Sequence, residues 1–165
     1  MGDVNTYYIG IDGGKSGGIS VVDENQKIVE CIIMPLVEVA KGKSYDIQAI
    51  SELLDKYPNK IIMLEQAHSM YGNGLKANFT NGELFGIMKT ILILKKVPFT
   101  IVSAKSWMKK MYEGMIIREK TKPSIEFCMN KYPEHDFTPT ERSRKAHDGK
   151  TDSLCIALYC RWKNK

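Results

Sequence analysis

Cysteine is scarce and poorly spaced for chemistry: Cys31, Cys128, Cys155 and Cys160 form neither a CxxC pair nor a Cys/His cluster. That excludes a zinc ribbon and a dithiol redox motif. Cys155 and Cys160 fall in an apolar helical stretch, where a free thiol behaves as a small hydrophobe. No apolar run approaches the ~20 residues that span a bilayer. The first residues carry no basic stretch ahead of an apolar core, so no secretory leader is expected. Repeats, linkers and low-complexity tracts are also lacking. The expectation is a cytoplasmic or otherwise reducing intracellular setting, with no membrane partner.

What is present is ordinary globular material. The 165 residues are 43% hydrophobic and 26% charged, enough for one domain, residues 1–165, around a buried core. A net charge of +5 and a pI of 8.9 suit a polyanionic partner without establishing one.

The stretch Tyr7-Tyr8-Ile9-Gly10-Ile11-Asp12-Gly13-Gly14 is a short β-branched and aromatic run closed by glycines, the pattern of a buried strand ending on a carboxylate. Residues 18–22 and 27–33 read as two more strands, joined through the polar turn 23–26 into an antiparallel meander. Ser44 is expected to cap a helix carrying Ile47, Ile50, Leu53 and Leu54, stopped at Tyr57-Pro58. Lys60 to Glu65 repeats the pattern of an apolar strand ending on an acid. A glycine-rich loop from Ser69 to Phe79 then leads into a helix through about Lys96. A strand follows over residues 99–102, and Ser103 caps the helix that holds Trp107. Helices are expected from Arg118 to Tyr132, with Pro123 in the first turn, and from Asp148 to Trp162. The polar, basic segment between those two helices reads as a mobile surface loop.

Asp148 and Asp152 are four residues apart and share a helix face. Taken singly, Asp12 can be a turn cap and this pair an acidic first turn. Taken together, with the first and fourth strands adjacent, Asp12, Glu65 and Asp152 converge, and clustered carboxylates need cations. Hard oxygen donors suit Mg²⁺, with Mn²⁺ as a substitute. Two ions roughly 3.5–4 Å apart activate water and stabilise the leaving oxygen of a phosphodiester.

With IGIDGGKSGGIS at the first strand, MLEQAHSMYGNG at the fourth, NGELFGIMKTIL, VSAKSWMKKM and HDGKTDSLCIALY, the chain resembles the RuvC-type Holliday-junction resolvases of the RNase H-like nuclease superfamily, nearest to phage and divergent branches. The resemblance implies an α/β RNase H-like fold, a five-stranded mixed sheet flanked by helices. It implies a Mg²⁺-dependent endodeoxyribonuclease that makes paired nicks in DNA four-way junctions, water activated by metal attacking the phosphodiester. Asp12, Glu65 and Asp152 match the family's metal ligands; the fourth is Asp148, or His147 in its place. A homodimer through the helix carrying Gly82, Leu84, Phe85, Gly86 and Met88 is also implied, although core packing explains the same residues.

For DNA, Lys76, Asn78 and Phe79 fall where the family faces the junction, with Phe79 either stacking on a base or anchoring the next helix. Lys105, Lys109 and Lys110 near Trp107, with Lys120 and Lys122 further on, form basic patches suited to phosphate. Arg142, Arg144, Lys145 and Lys150 surround the final carboxylates, while Trp107 itself is expected to pack in the core. Alternatives are an RNase H-like nuclease for RNA–DNA hybrids or other branched DNA, and a junction-binding protein without cleavage. A sugar-kinase or actin-like ATPase shares the first strand but needs two such domains. A P-loop is excluded because Ile9 stands where its first glycine belongs.

Overall fold

The computed structural model describes residues 5–68, 74–118 and 120–165; the part of the expected glycine-rich loop at 69–73 lies outside them. Five strands, β1 (Tyr7–Asp12), β2 (Gly18–Val22), β3 (Ile28–Ile33), β6 (Lys60–Glu65) and β7 (Phe99–Val102), form one mixed sheet ordered β3-β2-β1-β6-β7. β1 to β3 make the expected antiparallel meander, and β6 and β7 run parallel to β1. The helices are α1 (Ile47–Asp55), α2 (Leu75–Leu94), α3 (Ala104–Met111), α4 (Pro123–Lys131) and α5 (Asp148–Lys163). This is the expected α/β architecture.

Strand alternation divides the core in two. Ile9, Ile11, Ile19, Val21, Ile62 and Leu64 face Leu53 and Leu54 of α1 and Leu84 and Met88 of α2. On the opposite face Tyr8, Val22 and Met63 meet Trp107 of α3, Cys128 of α4 and the apolar length of α5. Every residue from Leu154 to Cys160 is buried, as a helix apolar all round requires. All four cysteines are free and buried.

α5 reaches the sheet through small residues. A Cβ on Gly10 would lie 2.2 Å from the Ser153 carbonyl oxygen and 2.3 Å from the Ala157 nitrogen, and one on Gly149 would lie 2.2 Å from the Ser16 carbonyl oxygen. Backbone therefore meets backbone along Gly149, Ser153 and Ala157, one stripe at helical spacing. The buried hydroxyls of Ser20 and Ser153, 2.8 Å apart, satisfy each other in the seam.

Four local expectations are corrected. Ser44 lies in a strand rather than at a cap: β4 (Leu36–Val39) and β5 (Gly42–Tyr45) form a separate hairpin, and Asp46 caps α1 by accepting from the Ala49 N–H at 3.0 Å. Ser44 pairs with Val37 in that hairpin. α2 starts at Leu75, so Lys76, Asn78 and Phe79 occupy its first turns rather than a loop. α4 starts at Pro123, not Arg118, because proline at the first helical position gives up only an N–H that had no intrahelical partner. Lys150 does not face the carboxylates: its Nζ donates to the Asp136 and Thr138 carbonyls, both at 3.0 Å, and ties the 133–147 segment to α5.

Candidate active site

The register of β1 and β6 sets the first two carboxylates. Ile11 pairs with Leu64, so the next residues, Asp12 and Glu65, end neighbouring parallel strands on the face that receives α5. Met63, two residues before Glu65, belongs to that same core. α5 begins at this edge of the sheet, with His147 as its N-cap, Asp148 in its first turn and Asp152 one turn later. The glycine seam holds that first turn against the β1–β2 connection. In that connection the Gly14 N–H donates to the buried Tyr45 hydroxyl at 2.8 Å, and Gly14 has φ of 113°, a value that L side chains avoid.

Electrostatics tie the four acids together. Burial, followed by the charges of Glu65, Asp152 and Asp148, pushes the Asp12 carboxyl well above the ordinary range, with Lys122 offsetting part of the rise. Glu65 is raised by burial, against the hydrogen bond from Trp107. Asp152 is raised by burial, against a hydrogen bond with Ser124 and the charge of Lys122. Partial burial pushes Asp148 up, but the bond and charge of Lys122 hold it below the ordinary value.

Three of the acids thus have a donor of their own: the Trp107 indole N–H gives to Glu65 Oε2 at 2.6 Å, Ser124 serves Asp152, and the Lys122 ammonium gives to Asp148. Among the described residues no three His, Cys, Asp or Glu side chains close into a ready ligand cluster. The donor types nevertheless suit a hard divalent cation, since Asp12 at the end of β1 feels the charges of Glu65, Asp152 and Asp148, with Lys122 offsetting part of them. His147 Nδ1, the substitute ligand at sequence level, is buried with no hydrogen-bond partner among the described residues.

A cleft of about 940 Å³ opens beside Glu65, between the β1–β2 connection and the first turns of α2, with Lys15, His68, Lys76, Asn81 and Met108 in its wall. Phe79 is 75% exposed, which settles against its being a buried anchor. Lys76, Lys105, Lys109 and Lys120 are exposed and make no ion pair among the described residues. Lys110 instead donates to Glu113 at 2.7 Å and sits 4.8 Å above the Trp162 ring. Lys122, grouped by sequence with the phosphate contacts, is bonded within the carboxylate cluster. Sequence reasoning missed two site residues. Trp107 is buried as expected but also holds Glu65, and Ser124 stands behind Asp152; nothing in the sequence marks either partnership across 42 and 28 residues.

No family model and no curated protein sequence matches the chain. Solved structures do. The Thermus thermophilus RuvC in complex with a Holliday junction substrate superposes with a TM-score of 0.64 at 12% identity, over 96% of this chain and 95% of that one. Thermus thermophilus RuvC alone gives 0.57 at 14%, over 96% of both chains. The yeast mitochondrial Holliday junction resolvase Ydc2 gives 0.53 at 14%, over 94% of this chain and 78% of that one. With the sheet order and the placement of α5, these likenesses establish that the chain has the RuvC-type, RNase H-like fold.

Proposed function

We propose that the protein is a divalent-metal-dependent, structure-selective DNA endonuclease that resolves four-way junctions by paired symmetric nicks. The observation that carries this reading is the placement of Asp12 and Glu65 at the ends of neighbouring strands with Asp148 and Asp152 opening α5, where Asp12, Glu65 and Asp152 are raised and ionise less readily while no cation joins them. The likeness to a RuvC bound to a Holliday junction supports the choice of substrate.

The four carboxylates would hold Mg²⁺, or Mn²⁺ in its place, through oxygen ligands. When bound, the cation supplies the positive charge that makes water nucleophilic and stabilises the leaving oxygen. The chain contributes the rest. Burial of Asp12 and Glu65 lowers the local dielectric and strengthens every charge interaction there. Lys122 supplies a positive charge at the cluster and, when not held by Asp148, can reach a phosphate oxygen. Exposed Lys76, Lys105, Lys109 and Lys120, with Lys110, give affinity to the phosphate backbone without reading sequence. Asn78 and Phe79 reach the junction from the first turns of α2, where an exposed ring can stack on an unpaired base.

A homodimer would present two such sites to a substrate of matching two-fold symmetry. Leu84 and Met88 are spent on the core, but a Cβ on Gly82 or Gly86 would meet nothing within 4 Å, which leaves that face of α2 open to a second copy.

Cleavage of a labelled mobile four-way junction, in Mg²⁺ or in chelator, tests the reading with wild type and Asp12→Asn. Metal-dependent symmetric nicks that the substitution abolishes are expected. Cutting of an RNA–DNA hybrid with junctions left intact would reassign the substrate. Tight junction binding without nicks in either metal would make the protein a binding module.

A further inference from the structure

Behind the carboxylates lies a second layer of side chains. Trp107 is completely buried, and its indole N–H points at Glu65 Oε2 across 2.6 Å. An indole N–H has one hydrogen to give and cannot accept, so in a dry core its position is dictated by whatever oxygen satisfies it. The chain fixes that meeting closely. Val102, the last residue of β7, pairs with Glu65 itself. Ser103 caps α3 by accepting from the Ser106 N–H at 3.3 Å, and Trp107 follows in the first turns. On its far side Trp107 meets the edge of Tyr112, with ring centroids 5.7 Å apart and planes at 76°. On the α5 side the buried Ser124 hydroxyl, which accepts from Thr151 Oγ1 at 3.1 Å, backs Asp152. Trp107 therefore backs Glu65 on β6, and Ser124 backs Asp152 on α5.

We infer that Trp107 is the positioning residue of the site: its indole N–H occupies one oxygen of Glu65 and presents the other to the cation, while its packing on Tyr112 holds the ring in place. This rests on the proposed carboxylate metal site. Outer partners of metal ligands typically change metal affinity or activity by about 10–100-fold. The orientation is set before the cation arrives, so less ordering remains to be done on binding.

The test replaces only the hydrogen-bond donor. Trp107→Phe removes the N–H with some loss of packing; incorporation of benzothienylalanine at position 107, sulfur in place of the indole nitrogen, keeps the ring shape. Mn²⁺ binding to the metal-free protein is measured by calorimetry beside thermal unfolding in chelator, and nicking is followed against Mn²⁺ concentration. The expected result is Mn²⁺ affinity about 10-fold weaker for the benzothienyl protein, an unfolding midpoint close to wild type, and nicking that recovers at high Mn²⁺. A benzothienyl protein with wild-type Mn²⁺ affinity would overturn the inference, even where Trp107→Phe unfolds, and would leave the metal site standing. Wild-type protein that binds no Mn²⁺ and nicks nothing would overturn both the inference and the function on which it rests.

Discussion

Asp12 carries the cost of the site. Its carboxyl is raised in the fold by burial and by three other acids, so the ionised form is disfavoured relative to the unfolded chain. Below the unfolded value near ~4 both states are protonated and nothing is lost. As the pH rises from there through the higher folded value, the unfolded chain releases its proton more readily, and stability falls. Asp12→Asn removes that loss. In chelator at pH 7 the variant is expected to melt about 2–4 °C above wild type, the shift that ~1 kcal/mol gives in a domain of this size, with the difference vanishing near pH 4. Melting curves at both pH values check this, and a variant less stable than wild type at pH 7 would show that Asp12 is held by donors rather than opposed by charges. Added Mg²⁺ is expected to stabilise wild type and not the variant, since a ligand that binds only the folded state raises its midpoint.

At the scale of elements, the contact that builds the site is α5 against β1 and β2. Gly10 and Gly149 admit backbone where any side chain would collide. Gly10→Ala is expected to force the helix outward, at a cost of about 1–3 kcal/mol or more, and to carry Asp148 and Asp152 away from Asp12. Urea unfolding gives the loss of stability. Nicking should fall more steeply than the folded fraction does, because Asp148 and Asp152 move even in molecules that stay folded. Equal losses in the two would mean that the seam serves stability alone. The β4–β5 hairpin was not legible in the sequence for a related reason. Leu36–Val39 and Gly42–Tyr45 are four residues each, too short for periodicity to register, and the turn depends on Gly42 at φ of 112°. Its role appears only in space, where Tyr45 receives the Gly14 N–H beside Asp12.

For the whole molecule, the surplus of positive charge, +5, matters through its placement. Lys105 and Lys109 stand one turn apart on α3, whose Ala104 and Met108 line the cleft beside Glu65. Junction affinity is expected to fall steeply with salt, because bound phosphates release their counterions. The double substitution Lys105→Gln and Lys109→Gln should weaken binding to every junction sequence alike and flatten the slope of log K against log salt by about two, one for each phosphate contact. Binding titrations over a salt series decide it; an unchanged slope would mean that these lysines face solvent in the complex.

Short apolar runs ending in acids made β1 and β6 visible, and the four-residue spacing of Asp148 and Asp152 declared one helix face, because such runs and spacings are local properties of the chain. The likeness of ordered motifs carried the fold as well, since the order of elements leaves few topologies. The partners of those acids were not local. That Trp107 holds Glu65, that Ser124 stands behind Asp152, that Lys122 sits among the carboxylates and that α2 begins early enough to place Phe79 on a helix all depend on how distant segments pack. The sequence determined which residues bear charge and which elements end on them; the tertiary structure alone decided what each charge meets, because a buried polar group takes its partner from whatever the closing core brings within hydrogen-bond reach.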